Sequence, residues 1–191
     1  MGGPSPATTS TLPAPSALQA HLQNSIDPTS PHPPHLQHLA QQIAHNLQYQ
    51  HNWTDVVVHH SSPDSKSSPF PRPLISGLPP LRLYTHPDEQ VALLRKAKAE
   101  GTTESDDLAA VAKLSPPERE WVLPSHLKEE WSLRRFGEVF DQIGVVPPAP
   151  DGKEGEVNPW RTKRIVLATL DDDSTVVYYI VHDGIVKPRQ N

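Results

Sequence analysis

The sequence has no cysteine, a single methionine and few aromatic residues, and each shortage narrows what the chain can be. Without cysteine there are no disulfides and no cysteine-ligated zinc or iron–sulfur sites. Hydrophobic residues fill only 35% of the 191 positions. That is below the usual share for a fully packed chain, so part of it is expected to bury too little apolar surface to fold. No apolar run reaches the roughly 20 residues of a membrane-spanning helix. The opening residues show neither a basic stretch before an apolar core nor the arginines of a transit peptide, so a soluble intracellular protein is expected. A basic surplus is missing as well: 17 Lys and Arg face 22 Asp and Glu, a net charge of -5. This argues against a free-standing nucleic-acid binder, since such modules neutralise phosphates with excess cations.

Proline, by contrast, is abundant, at 23 residues. Residues 1–33 are rich in Pro, Ser, Thr and Ala, with Asp27 as their one charged side chain, and read as a disordered arm. Within it, Ser16, Leu18, Leu22 and Ile26 have helical spacing, too short a pattern to outweigh that composition. From Pro34 onward Leu36, Leu39, Ile43 and Leu47 recur at spacings of three and four, which predicts a helix over 34–50 with one apolar face. Pro33 and Pro34 stand where a helix tolerates proline, before or in its first turn. Trp53 and the β-branched run Val56-Val57-Val58 predict a strand entering the core.

Residues 59–72 read as a Ser/Pro/Asp loop, and Leu81-Arg82-Leu83-Tyr84 as a half-buried strand. Thr85-His86-Pro87-Asp88 starts a helix that runs from Gln90 to Glu100 and ends at Gly101. Residues 102–108 read as an exposed acidic insertion. Ser115-Pro116-Pro117-Glu118 has the form of a capping box and predicts a helical turn before a short strand at Trp121-Val122-Leu123. Leu133, Phe136, Phe140 and Ile143 share one face of a further helix, flanked by Trp131 and Val139 and closed by Gly144. Residues 145–159 read as a long Pro/Gly/Glu loop. Two strands follow, Arg164–Leu170 and Thr175–Val181, joined through Asp171-Asp172-Asp173-Ser174. In the second, Thr175, Val177, Tyr179 and Val181 line one side and Val176, Tyr178 and Ile180 the other. A strand apolar on both sides needs cover on both, and a chain this small calls for cover, or a neighbouring strand, from another protein.

Arg161-Thr-Lys-Arg-Ile-Val-Leu-Ala-Thr-Leu, an acidic turn, then Ser174-Thr-Val-Val-Tyr-Tyr and Asp183-Gly together resemble the tRNA-splicing endonuclease family. The closer resemblance is to its small structural subunit, the Sen-fifteen type. It extends upstream through the 36–50 helix leading to Trp53 and through Trp121-Val-Leu-Pro with the Trp131–Ile143 helix. The resemblance implies an α+β domain over 34–191, a small mixed β-sheet flanked by helices in a nuclease-like fold, with insertions near 59–72, 98–115 and 145–159. It further implies a non-catalytic place in a heterotetramer that excises introns from precursor tRNA without metal or cofactor. The expected direct partner is the catalytic Sen-thirty-four type subunit, joined by edge pairing through Thr175, Val176, Val177, Tyr178, Tyr179, Ile180 and Val181. Asp171, Asp172 and Asp173 match the family's acidic loop that enters a basic groove on another subunit. On turn chemistry alone the same triplet is a hairpin turn. Nuclear localisation is expected, with the cytosolic face of the mitochondrial outer membrane as the alternative.

The catalytic subunits of that family use a Tyr, a His and a Lys, and Lys163 matches the lysine. The upstream partners are missing: no Tyr lies between Tyr84 and Tyr178, and His126 is the one His in that interval. A lysine alone cannot supply acid–base cleavage, so Lys163 reads as a vestige or a surface charge. The 11 histidines include His32, His35, His38 and His45 near one helix start, but a metal site needs ligands converging in space, and none is expected. A competing reading makes the chain a free tRNA-binding module using Arg134, Arg135, Lys187 and Arg189.

Overall fold

The computed structural model describes residues 14–17, 19–20, 26–62, 68–99, 115–149 and 158–185. Residues 17 and 19–20 are helical; the elements described end to end are, in order, helix α1 (Pro34–Tyr49), strands β1 (Thr54–Ser61) and β2 (Pro69–Leu78), helix α2 (Pro87–Ala99), strand β3 (Glu120–His126), helix α3 (Leu133–Phe140), and strands β4 (Arg164–Leu170) and β5 (Val176–His182). The strands form one sheet in the order β1-β2-β3-β4-β5. β3 and β4 run parallel, while the other neighbours are antiparallel. The expected α+β class with a mixed sheet is therefore present.

Strand alternation divides the core into two layers. Val122, Val166, Ala168 and Leu170 meet Leu39, Ile43, Ala44 and Leu47 of α1 on one face. On the opposite face Trp121, Leu123 and Ile165 meet Val139, Phe140 and Ile143. With helices on both faces, β3 and β4 are buried on both sides, which explains their near-continuous apolar sequence. Among the described residues, none of α2 belongs to either layer.

Four local expectations are corrected. First, much of the presumed loop at 59–72 is strand: β1 continues to Ser61 and β2 starts at Pro69. Three prolines disguised β2. They all precede the Ile75–Gly77 stretch that pairs with β3, so the sheet tolerates their missing N–H groups. Second, Leu81–Tyr84 is not a strand, and its burial is inverted. Leu81 is 71% exposed, while Arg82 turns inward to Glu89 and Glu118, and Tyr84 lies under the Arg164 guanidinium. Third, no helical turn forms at Ser115–Glu118. Ser115 Oγ has no hydrogen-bond partner among the described residues, and the Glu118 carboxylate joins an arginine cluster instead of capping. Fourth, Leu133 is 91% exposed. α3 starts there, capped by Ser132, whose Oγ accepts the Arg135 N–H at 3.3 Å, and its buried face begins only at Phe136. The Gly101 cap, the 102–108 insertion, Leu18, Leu22, Lys187 and Arg189 lie outside the described residues.

The arginine cluster was not visible in the sequence. Glu118 and Glu120, at the entry to β3, face Arg161 and Arg164, at the entry to β4. Arg161 binds Glu118 at 2.6 Å and Glu120 at 3.0 Å; Arg164 binds Glu118 at 3.0 Å and Glu120 at 2.5 Å. Arg82 adds Glu89 at 2.8 Å and Glu118 at 2.5 Å, and Asn158 Nδ2 donates to both of those glutamates at 3.0 Å. Three arginines thus balance three glutamates. Burial pushes the Glu118 carboxyl up, but hydrogen bonds from Asn158 and Arg161 and the charges of Arg161 and Arg82 hold it below its ordinary value. The cluster fixes the turn before β4 and the base of α2 to β3 with charge where apolar contact is lacking.

His59 gives the fold a pH dependence. Its Nε2 lies 2.8 Å from Ser76 Oγ, and its ring meets Trp121 edge-on. Burial, with the Arg119 cation and His60 adding to it, pushes His59 from 6.5 down to about 4. The folded state therefore holds His59 neutral, while the unfolded chain binds a proton more readily. Stability from this group is full above pH 6.5 and is lost as pH falls towards about 4. In urea titrations across that window, His59→Asn is expected to flatten the acid-side decline. A decline as steep as that of the wild type would assign it to other groups.

Candidate partner interface

β5 occupies one end of the sheet, with β4 as its single strand neighbour among the described residues. Seven consecutive pairs, from Arg164 opposite His182 to Leu170 opposite Val176, join them without a register shift. The other end is irregular: β1 pairs with β2 through two register shifts, and Asp55 beside the first adopts a φ of 50°. Irregularity of that kind blunts an edge against further pairing, whereas the β5 edge has no such protection.

The two faces of β5 differ. Val176 and Tyr178 pack towards α1. The Tyr178 hydroxyl donates to Asn46 Oδ1 at 2.5 Å, its ring meets His51 edge-on, and burial pushes the phenol's pKa up. On the opposite face Val181 is half-buried against the second layer, but Val177 is 44% and Tyr179 54% exposed. Ile180 and Thr175 are also exposed. So α1 and the core cover part of the strand, and an apolar strip around Val177 and Tyr179 stays open beside an edge that no described strand pairs with.

The acidic triplet forms the β4–β5 turn. The Asp171 N–H donates to Thr175 O at 2.9 Å and the Ser174 N–H to Asp171 O at 3.0 Å, with Ser174 at a φ of 69°. Asp171 Oδ1 accepts the Asp172 N–H, and Asp173 Oδ1 accepts the Thr175 N–H at 2.8 Å. Asp172 is held by Lys128 and by His126 Nε2 at 3.1 Å. The Lys128 contact keeps the Asp172 carboxyl below its ordinary value, and the Thr175 N–H does the same for Asp173. These aspartates therefore build the turn, and Asp172 and Asp173, exposed at its tip, stay ionised.

Lys163 immediately precedes β4, and its carbonyl accepts the Asp183 N–H at 2.9 Å. His126 is engaged with Asp172. One contact unforeseen in the sequence lies on this side: Tyr84 meets the His182 ring edge-on at 4.7 Å, and Thr162 Oγ1 lies 3.1 Å from His182 Nδ1. Burial, with the Arg164 and His86 charges adding to it, pushes His182 down. The contact spans nearly 100 residues of chain, which is why no local pattern announced it. Arg134 pairs with Glu138 at 3.2 Å, and the exposed Arg135 sits over Trp131.

Residues 42–191 match the family described as Sen15 protein. A Neurospora crassa protein named "Probable tRNA-splicing endonuclease subunit tsp-1" is 44% identical over 165 residues, covering 82% of this chain and 67% of the relative. The Eremothecium gossypii protein named tRNA-splicing endonuclease subunit SEN15 is 37% identical over 76 residues, which cover 38% of this chain and 52% of that protein. The match takes in the sheet, the β5 edge and the acidic turn, and the chain belongs to the Sen15 protein family.

Proposed function

We propose that the chain is a structural, non-catalytic subunit of a tRNA-splicing endonuclease and joins the catalytic subunit through β5. The observation that carries this reading is the regular β5 edge, which no described strand pairs with, and the open Val177–Tyr179 strip beside it. A strand with bare backbone donors and acceptors and an apolar flank is suited to strand addition by a partner. In that arrangement Asp171, Asp172 and Asp173 project next to the seam, where a basic groove on a partner subunit would match their charge. The whole assembly would be a heterotetramer acting on precursor tRNA in the nucleus. The chain's part is to hold the catalytic subunit in working geometry.

Co-expression with the catalytic subunit is expected to yield a stable soluble complex. Failure of the two to co-purify would count against the proposal. Within that complex, Lys163→Ala is expected to leave the rate of intron excision near that of the wild type. A loss of more than about tenfold with the complex intact, the scale of a removed acid–base or charge-stabilising group, would make Lys163 a working catalytic residue.

A further inference from the structure

Residues 1–33 read from composition as a disordered arm, yet residues 27–33 are held against the domain. Pro28, Pro31 and Pro33 stiffen this short segment and reduce the entropy lost on docking it. Asp27 shapes its first turn: Oδ1 accepts the Thr29 N–H at 2.8 Å, and the Asp27 carbonyl accepts the Ser30 N–H at 3.2 Å. The buried Gln37 of α1 clamps the segment at two points. It accepts the Asp27 N–H at 3.0 Å and donates to the His32 carbonyl at 2.9 Å.

The other anchor is β1, the end strand opposite β5. The buried His32 donates from Nε2 to the His60 carbonyl at 3.0 Å. Ser30 Oγ accepts the His32 N–H at 3.3 Å and lies 3.0 Å from His60 Nδ1, so its own proton is free for a neutral imidazole there. The His32 and His60 rings stack with centres 5.6 Å apart. A proton on His60 Nδ1 removes the acceptor from the Ser30 hydroxyl and sets a cation against the His32 ring.

Three titratable groups among the described residues face His60: His32 and Asp27 from the segment, and His59 from its own strand. Burial, with His32 adding to it, pushes His60 below its ordinary 6.5, and the Asp27 carboxylate opposes this more weakly. His59, pushed down to about 4, stays neutral as His60 titrates. The docked segment thus disfavours the proton on His60. Its hold is full above pH 6.5 and weakens as pH falls below that value.

We infer that residues 27–33 are an acid-released strap, pinned to the end of β1 at neutral pH and freed by protonation at the His32–His60 pair while the sheet stays folded. Release takes the donor from the His60 carbonyl and opens that end of the β1 edge to another chain.

The test is the steady-state 15N heteronuclear NOE of the full chain, followed from about pH 7.5 to about pH 5, which reports backbone order residue by residue. At the upper pH the amides of Thr29, Ser30 and His32 are expected to match those of α1. At the lower pH they should fall to values typical of a flexible segment, with α1 and β4 unchanged. His60→Asn keeps an acceptor for the Ser30 hydroxyl and removes the titrating ring, so its strap should stay ordered throughout. His32→Gln keeps a donor to the His60 carbonyl and removes the second charge. It should lower the midpoint of release by about half a pH unit or more. Should His60→Asn be loose already at the upper pH, His32→Gln decides. Order that persists in the wild type, loss shared with α1 and β4, or release at the wild-type midpoint in either variant overturns the inference. Co-purification through β5 can succeed or fail independently of these results.

Discussion

Replacing Glu120 by alanine is expected to destabilise the protein by about 3–5 kcal/mol, the range measured when one partner of a buried ion pair is removed. Glu120 is fully buried and takes both Arg161 and Arg164. Its loss leaves those guanidiniums facing Glu118 alone, and Glu118 already serves Arg82. The three cations would then outnumber the remaining glutamates in a region that excludes water. For a chain of this size the loss corresponds to a fall of roughly 6–20 °C in Tm, measurable by circular dichroism. A change under about 1 kcal/mol, typical of exposed pairs, would mean that water reaches the cluster. The position of the cluster makes the effect more than local. It joins the entries of β3 and β4, so its failure should loosen the parallel pair at the centre of the sheet.

The second large effect is expected at the open face of β5. Val177 and Tyr179 are exposed in the isolated chain, and substitutions there should move its stability by about 0.5 kcal/mol or less. The double substitution Val177→Asp, Tyr179→Asp is nevertheless expected to reduce capture of the catalytic subunit by more than about tenfold. It removes the aromatic anchor and places two charges where the seam would exclude water. Retained capture, with the fold intact by circular dichroism, would move the interface to another surface. The pairing of outcomes matters, because a core residue would lose stability and binding together. Here stability should stay while binding falls.

The elements that could be read locally were those whose burial follows a simple period. Leu39, Ile43 and Leu47 announced α1, and the unbroken apolar run of β4 announced a strand covered on both faces. β2 was hidden because Pro69, Pro71 and Pro73 read as loop. Their tolerance depends on which strand stands opposite, a fact that exists only once the sheet has formed. Leu81 and Leu83 misled for a related reason. Alternation marks a strand only when the apolar side faces the core, and here the ion cluster draws Arg82 inward and turns the leucines out. Leu133 failed because the pattern was extended one turn too early; the Ser132 cap starts the helix there, leaving Leu133 beyond the packed face.

The terminal strand pair with its acidic turn was legible in residue order over a short stretch, where periodicity and turn chemistry act directly, and the motifs there carried the family resemblance that implied the α+β class. Folding settled which face of β5 stays open, that β5 rather than β1 presents the regular edge, and that the charges of Arg72, Glu118, Glu120, Arg161 and Arg164 lie inside. Each of these turns on partners brought together by folding, such as Glu120 and Arg164, 44 positions apart. The terminal hairpin was thus legible as a strand pair too apolar for its chain. The fold packed Val176 and Tyr178 of that excess on α1 and left an exposed strip around Val177 and Tyr179 at the sheet's end.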